Sequence, residues 1–407
     1  MDSFGKNRQV SIKSYRYRFY PTSEQEEILA RTFGCVRYVY NHALDYRSTT
    51  YKETGKGATF AKTSLELTKW KREEETIWLK DVSCIPLQQS LRHLSTAFSN
   101  FFAKRTKYPR FKRRSSKQSA VYTRNAFKWD AKFRNLRIAK LGRLNIHWSR
   151  LFRADPSTVV IIKTTTGKYF VSICINEESR AAPETEKEVG VDLGITNLAT
   201  LSDGSTIENP KFTKRYAPRL ARAQRKFSRK QKGSNRRHRA RIRVAKIHER
   251  IANSRLDWMH KATTKLINEN QVITVEDLNV QGMVKNRKLS KAISDCSWSE
   301  FVRQLKYKAD WYGRDFRKIG RFVPTSKTCS DCGHRMAEMP LKIRSWQCPE
   351  CHAEHDRDVN AAINILASGR LERQNERGVA EDLLSVLPDR RRRRRSVKHL
   401  KPAIALA

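Results

Sequence analysis

No apolar run in this 407-residue chain approaches the roughly twenty residues that a membrane-spanning helix needs. The first residues, Met1 to Arg8, are polar and unlike a secretory leader. A soluble, intracellular protein is expected. Acids are scarce too: 41 Asp plus Glu face 84 Lys plus Arg, a formal charge of +43. That excess repels itself in a free globule and far exceeds what solubility requires, so a polyanion is expected to neutralise it. Apolar residues make up only 38%, low for one compact globule but adequate beside long polar helices. The length leaves room for two or three domains.

Cysteines are few and unevenly placed. Cys35, Cys84, Cys174 and Cys296 are scattered singly and suit packed residues or surface thiols better than disulfides. The other four form Cys329-Ser330-Asp331-Cys332 and Cys348-Pro349-Glu350-Cys351, with fifteen residues between. Two such pairs read as a zinc ribbon, each pair a short knuckle and the four sulfurs one tetrahedron. His334 and His352 lie beside them, but four thiols already fill the shell. The ten histidines show no ligand spacing of their own.

Basic residues are interleaved with aromatics, as in Tyr108-Pro109-Arg110-Phe111-Lys112-Arg113-Arg114. Planar groups among cations suit base stacking beside phosphate contacts. Between Lys211 and Arg250 there are seventeen cations and a single acid, Glu249. Gly233-Ser234-Asn235 breaks this stretch into two helical arms with a wide phosphate-contacting face. Six consecutive arginines, Arg390–Arg395, mark a polyanion-binding tail.

The patterning predicts an α/β chain of several domains. Val10–Phe19 alternates like a half-buried strand. Pro21-Thr22-Ser23 then opens a helix, with Ser23 and Glu26 as its capping box. Helices are expected again at 64–71 and 87–102, and a hairpin is expected over 158–175 around Thr165-Thr166-Gly167. After a polar linker, Val189–Ile195, Leu198–Ser202, Ser205–Glu208 and Gln271–Glu276 read as strands. Trp298–Ile319 reads as an amphipathic helix, Phe322-Val323-Pro324 as a last short strand and Asp358–Leu366 as a helix. Regular patterning lapses after Gly369.

Three acids stand on these core elements: Asp192 inside Val189-Gly190-Val191-Asp192-Leu193-Gly194, Glu276 ending a strand, and Asp358 opening a helix. Singly, each has an ordinary reading as a turn acid or a helix cap. Together they suit magnesium, which takes hard oxygen ligands and offsets the cost of burying carboxylates. Two such ions can activate water and stabilise the leaving oxygen in phosphodiester cleavage. Asp356 is the alternative for the third position.

Gly190-Val191-Asp192-Leu193-Gly194-Ile195-Thr196-Asn197, Val275-Glu276-Asp277-Leu278-Asn279, the four cysteines and His355-Asp356-Arg357-Asp358-Val359-Asn360-Ala361-Ala362 resemble the three split RuvC motifs and zinc ribbon of the TnpB (OrfB) proteins. These belong to bacterial insertion sequences and are similar to small type V CRISPR effectors. Phe19-Tyr20-Pro21-Thr22, Tyr40-Asn41-His42, the segment Tyr51–Lys56 and Tyr108-Pro109-Arg110-Phe111 extend the resemblance, which covers about residues 10 to 367.

The resemblance implies a fold and a division of the chain. Residues 1–180 would form a wedge-like β-barrel with a helical recognition insertion at about 22–118. An RNase H-like RuvC core would span 188–328, with the basic hairpin at about 211–268. The zinc ribbon would follow at 329–351 and the third motif and helix at 352–368; the tail at 369–407 lies outside the resemblance and is expected from its composition to be basic and disordered. The resemblance also implies an RNA-guided DNA endonuclease in a bacterial cytoplasm, associated with the nucleoid. The partners are a guide noncoding RNA and double-stranded target DNA beside a short adjacent motif, with a monomer favoured and no membrane. By position, Asp192, Glu276 and Asp358 are the catalytic magnesium ligands, and Cys329, Cys332, Cys348 and Cys351 hold structural zinc. A strand-transferring transposase, which would join DNA ends, and a non-catalytic zinc-containing regulator are the competing expectations.

Overall fold

The computed structural model describes residues 10–179, 181–321, 323–340 and 342–386. Contacts among these residues divide them into two units, one from within 10–179 and 212–256, the other from within 181–211 and 257–386.

The first unit is built on a five-stranded antiparallel sheet. Its strands are β1 (Val10–Phe19), β2 (Gln118–Thr123), β6 (Ile146–His147), β7 (Pro156–Lys163) and β8 (Tyr169–Glu178), in the order β2-β7-β8-β1-β6. Small strands β3 (Phe127–Asp130), β4 (Asn135–Ile138) and β5 (Gly142–Arg143) make a second sheet. The expected barrel is therefore an open half-barrel: edge strands β2 and β6 do not pair with each other, and β6 is only two residues long. The β7–β8 hairpin turns where expected, at Gly167, whose φ of 86° suits a residue without a Cβ.

Helices α1 (Ser23–Thr54), α2 (Phe60–Trp70) and α3 (Cys84–Phe102) share one core with this sheet. Leu29, Phe33, Val36 and Val39 of α1 are buried in the same cluster as Val171 and Ile173 of β8. The capping box lies one residue earlier than expected. Thr22 takes the extended cap conformation and its hydroxyl accepts from Gln25 N at 3.3 Å, while Gln25 Oε1 accepts from Thr22 N. Gln25 also donates to Leu141 O and Arg143 O, and this tertiary anchor favours Thr22–Gln25 over Ser23–Glu26. The basic arms are α4 (Phe212–Ser228) and α5 (Asn235–Glu269).

The second unit carries β9 (Glu188–Leu193), β10 (Asn197–Leu201), β11 (Thr206–Glu208), β12 (Val272–Glu276) and β13 (Asp315–Ile319), in the order β11-β10-β9-β12-β13. The β11-β10-β9 pairings are antiparallel, and β9-β12-β13 run parallel. Short helices α6 (Val280–Met283) and α7 (Ser290–Cys296) lead into α8 (Trp298–Tyr312). The helix expected to reach Ile319 stops at Tyr312, because Gly313 adopts a left-handed cap with φ of 67°. Asp315–Ile319 then extends and joins the sheet beside β12. Val323 and Pro324 are not in a strand, and Phe322 lies outside the described residues.

Strands β14 (Ser345–Gln347) and β15 (Glu354–Asp356) pair in the cysteine segment and lead into α9 (Arg357–Val386). Helix α9 continues through Gly369 to Val386, past the point where the sequence pattern lapses. It packs on β9 and β12 with Ala361, Ala362 and Ile365 buried. Gly190 permits that closeness: a Cβ there would lie 2.0 Å from Ala362 O. The arginine run 390–395 lies outside the described residues. Among the described residues no helix is long and apolar enough to cross a membrane.

Candidate active site and metal centre

Strands β9 and β12 are adjacent and parallel, with Val191 opposite Val275. The next residue of each strand is an acid, so this register alone sets Asp192 beside Glu276. Their side chains share a hydrogen bond, and Leu193 N donates to Glu276 Oε1 at 3.2 Å. Burial is the largest influence on Asp192. With the negative charges of Glu276 and Asp358 it raises the carboxyl to about 8. Burial also raises Glu276, against the lowering effects of the Leu193 N–H and Asp192. Without a cation, this pair retains a proton well above the usual carboxylate range.

Asp358 stands in the first turn of α9, close enough for its charge to act on Asp192. Its two oxygens lie 3.2 and 3.3 Å from Arg344 Nη1. Asp356, the alternative third acid, has another task. Its Oδ1 accepts from Asp358 N at 3.0 Å and Val359 N at 2.9 Å, capping α9. The three acids do not collapse into one tight ligand set: among the described residues only the four cysteines have donor atoms all within 4.8 Å of one another. A carboxylate site for two ions about 3.5–4 Å apart does not require so tight a set. Hard carboxylate donors of this kind fit magnesium.

The cysteines fit zinc closely. Cys329 Sγ lies 3.7 Å from Cys351 Sγ, and Cys332 Sγ lies 3.6 Å from Cys348 Sγ. A tetrahedron with Zn–S bonds of about 2.3 Å has sulfurs about 3.8 Å apart. Each knuckle is closed by backbone bonds, Gly333 N to Cys329 O and His352 N to Cys348 O. Of the neighbouring histidines, His334 lies 3.6 Å from Glu350, whereas His355 Nε2 lies 3.0 Å from Cys329 Sγ and its ring packs on Trp346.

The ribbon is bonded to the helix that carries Asp358 through two asparagines whose role sequence reading did not assign. Asn360 Oδ1 accepts from Ser330 N at 2.9 Å, and its Nδ2 donates to Thr328 O at 2.8 Å. Asn364 Nδ2 donates to Thr328 O at 2.6 Å and Thr325 O at 2.8 Å. The signal was present: two asparagines one helical turn apart, on the face that also carries buried Ala361. Their partners are backbone carbonyls, which no side-chain pattern announces.

In the first unit, α4 and α5 line a groove of about 1000 Å³ with Arg219, Arg222, Lys226, Arg236 and Arg243 among its cations and no acid. Glu249, the one acid between Lys211 and Arg250, is engaged elsewhere, 3.0 Å from Lys168 Nζ.

Comparison with known proteins gives the family. Residues 172–287 match the OrfB_IS605 family, described as "Probable transposase"; residues 298–365 match the Cas12f1-like TNB domain. Residues 11–56 match a helix-turn-helix domain of the OrfB_IS605 group, although here they form one strand and one long helix. A Streptomyces pristinaespiralis protein named as an RNA-guided DNA endonuclease is 49% identical over 88% of this chain and 89% of its own. The Escherichia coli K12 protein InsQ, with the same name, is 33% identical over 88% of this chain and 92% of its own. The cryo-EM structure of the Cas12f1-sgRNA-target DNA complex matches the fold with a TM-score of 0.55 at 12% identity, covering 88% of this chain and 98% of that one. With relatives this similar over nearly their whole length, the chain belongs to the TnpB (OrfB) family of insertion-sequence proteins.

Proposed function

We propose that this chain is an RNA-guided DNA endonuclease, cutting double-stranded DNA in a magnesium-dependent RuvC site made by Asp192, Glu276 and Asp358. One observation carries the assignment: two hydrogen-bonded carboxylates on adjacent parallel strands, held where they are costly to ionise unless a cation joins them. The strand order β11-β10-β9-β12-β13, antiparallel and then parallel, supports an RNase H-like core. The names of the relatives support guidance by RNA. In this reading residues 1–180 are the wedge and recognition region, 188–328 the RuvC core and 329–351 the zinc ribbon.

Magnesium bound there would supply activation of the attacking water and charge stabilisation at the leaving oxygen. The chain's own part is positioning. Leu193 N–H fixes Glu276 Oε1, the β9–β12 register places Asp192 beside it, and the Asp356 cap fixes where α9 begins and so where Asp358 stands. The cations of the first unit bind phosphates without reading sequence, while base pairing of the guide supplies specificity. Cys329, Cys332, Cys348 and Cys351 would hold zinc and fix the ribbon to α9.

The test is cleavage of a plasmid bearing a guide-matched target by protein purified with its RNA. Cutting should require the RNA and magnesium. Asp192→Asn should reduce it by more than the ~100-fold that loss of an outer metal partner costs, with RNA binding retained. Full cutting by that variant would remove the assignment. The transposase description of the matching family favours a second reading, strand transfer. Joined DNA ends, in place of RNA-dependent breaks, would establish it.

A further inference from the structure

In the first unit a cavity of about 700 Å³ opens between α1, the 113–118 segment, the β7–β8 turn and the start of α5. A recess of about 250 Å³ shares Phe33, Arg37, Ser116 and Gln118 with it, so the two form one cleft. The size falls in the roughly 300–1,000 Å³ range of pockets that hold single small ligands. Arg37, Arg114, Lys163 and Arg241 line the larger part, and no Asp or Glu lines either. Like charges gathered in a concavity create a strong positive potential that an anion relieves.

The cleft is built and not merely a gap. The Gln118 side-chain amide is spent on the loop: its Nε2 donates to Arg113 O, Arg114 O and Ser116 O at 3.1, 3.2 and 2.8 Å. Its Oε1 accepts from Arg37 Nη1 at 3.3 Å, which aims that guanidinium. On the far side, Glu249 of α5 binds Thr166 Oγ1 at 3.2 Å and Lys168 Nζ at 3.0 Å, fixing α5 to the β7–β8 turn. Buried Phe33 and half-buried Ile242 supply an apolar wall among the cations.

We propose that this cleft binds one unpaired ribonucleotide of the guide RNA, with phosphate against Arg37, Lys163 and Arg241 and base against Phe33 and Ile242. The volume suits a single extruded nucleotide and is far too small for a duplex, and unpaired bases splayed from an RNA are what proteins read individually. Ribose is favoured over deoxyribose because Ser115, Ser116 and Thr165 line the same cavity, offering hydroxyl partners for a 2′-OH. The proposal rests on the RNA-guided reading and adds a discrete RNA subsite to it.

The test uses full-length protein purified with its own RNA. Ultraviolet crosslinking of the wild type, read by mass spectrometry, should join one RNA nucleotide to a peptide containing Phe33, Lys163 or Arg241. That nucleotide should be protected from in-line cleavage. In the double variant Lys163→Gln, Arg241→Gln it should become cleavable. RNA affinity should fall roughly tenfold, with the salt slope shallower by about 0.7 per cation removed. Unchanged protection and affinity in the double variant would overturn the subsite while leaving guidance by RNA intact; so would crosslinks at these peptides to DNA alone. Wild type that binds no RNA at all would instead overturn the guided reading. If the double variant fails to fold, the wild-type crosslink map decides alone: no RNA adduct on these peptides ends the proposal.

Discussion

Asp192 and Glu276 occupy the same level of neighbouring parallel strands and share a hydrogen bond between their carboxyl groups. Placing two like charges there is unfavourable unless a proton or a cation intervenes. Strand register alone therefore brings the two acids together, and in the proposed site the pair's protonation would report on metal occupancy.

That relationship sets a pH dependence. The folded carboxyl of Asp192 titrates near 8, whereas an unfolded aspartate titrates at about 3.9. A raised folded value contributes stability that is complete below the unfolded value and lost as pH climbs through the folded one. Metal-free protein should thus lose thermal stability between about pH 4 and about pH 8 more steeply than Asp192→Asn, which carries no such proton. Magnesium should restore more stability at the alkaline end, where it has no proton to displace. Melting curves in chelator across that window check this, and parallel curves for the two proteins would refute it.

Gly190 makes a second test, of the contact between β9 and α9. A Cβ at this position would meet Ala362 O at 2.0 Å and Leu366 N at 2.8 Å, both backbone atoms with little room to yield. Gly190→Ala should destabilise by at least the ~1–3 kcal/mol of ordinary overpacking, and should reduce cutting by displacing the helix that carries Asp358. Gly34→Ala is the control. It lies inside α1 with nothing within 4 Å of the added carbon, so it should be neutral or stabilising by about 0.5–1 kcal/mol. Equal melting temperatures for the two variants would show that the close approach is unimportant.

Much of this arrangement was legible in the chain because its signals are local. The four cysteines fall together because two short-range spacings suffice to form knuckles. Val189–Leu193 and Val272–Glu276 read as strands because they are apolar and rich in β-branched residues, and both pack in the same core. The elements that were misread depend on tertiary context. Asp315–Ile319 continued a helical pattern on paper, yet Gly313 ends α8 and the free edge of β12 recruits the segment into the sheet. The Thr22–Gln25 cap won over Ser23–Glu26 through bonds to Leu141 and Arg143, more than a hundred residues away. The contacts of Arg344, Asn360 and Asn364 were not read because they exist only once the ribbon lies on α9.

Asn360 offers a third test, separating ribbon folding from ribbon docking. It is 1% exposed and satisfies both Ser330 N and Thr328 O. Asn360→Ala leaves Ser330 N unpaired, at a cost of about 1–3 kcal/mol, and leaves Thr328 O to Asn364 alone. The four sulfurs are untouched, so zinc content should stay at the wild-type level while cutting falls and melting temperature drops. Metal analysis beside a cleavage assay distinguishes this from loss of the ribbon. Lost zinc in the variant would mean that docking and metal binding are one event.

Removing zinc itself should act further upstream. Cys348 is fully buried, and its thiol lies in a cluster of four within 4.8 Å of one another, the spacing that suits one tetrahedral ion. Structural zinc supplies much of the folding energy of such small segments, so chelation or Cys348→Ser should unfold the knuckles. Ser330 N and Thr328 O would then lose their fixed positions against Asn360, and Arg344 its position against Asp358. Cutting should fall at least about tenfold, the lower end of what disturbing a metal site's outer support costs. RNA binding should persist, because the groove cations between α4 and α5 belong to the other unit. The readouts are zinc per chain, RNA per chain and cleavage rate on one preparation. A zinc-free protein cutting at the wild-type rate would show that Asp358 is held by α9 and its Asp356 cap alone, with the ribbon as a bystander.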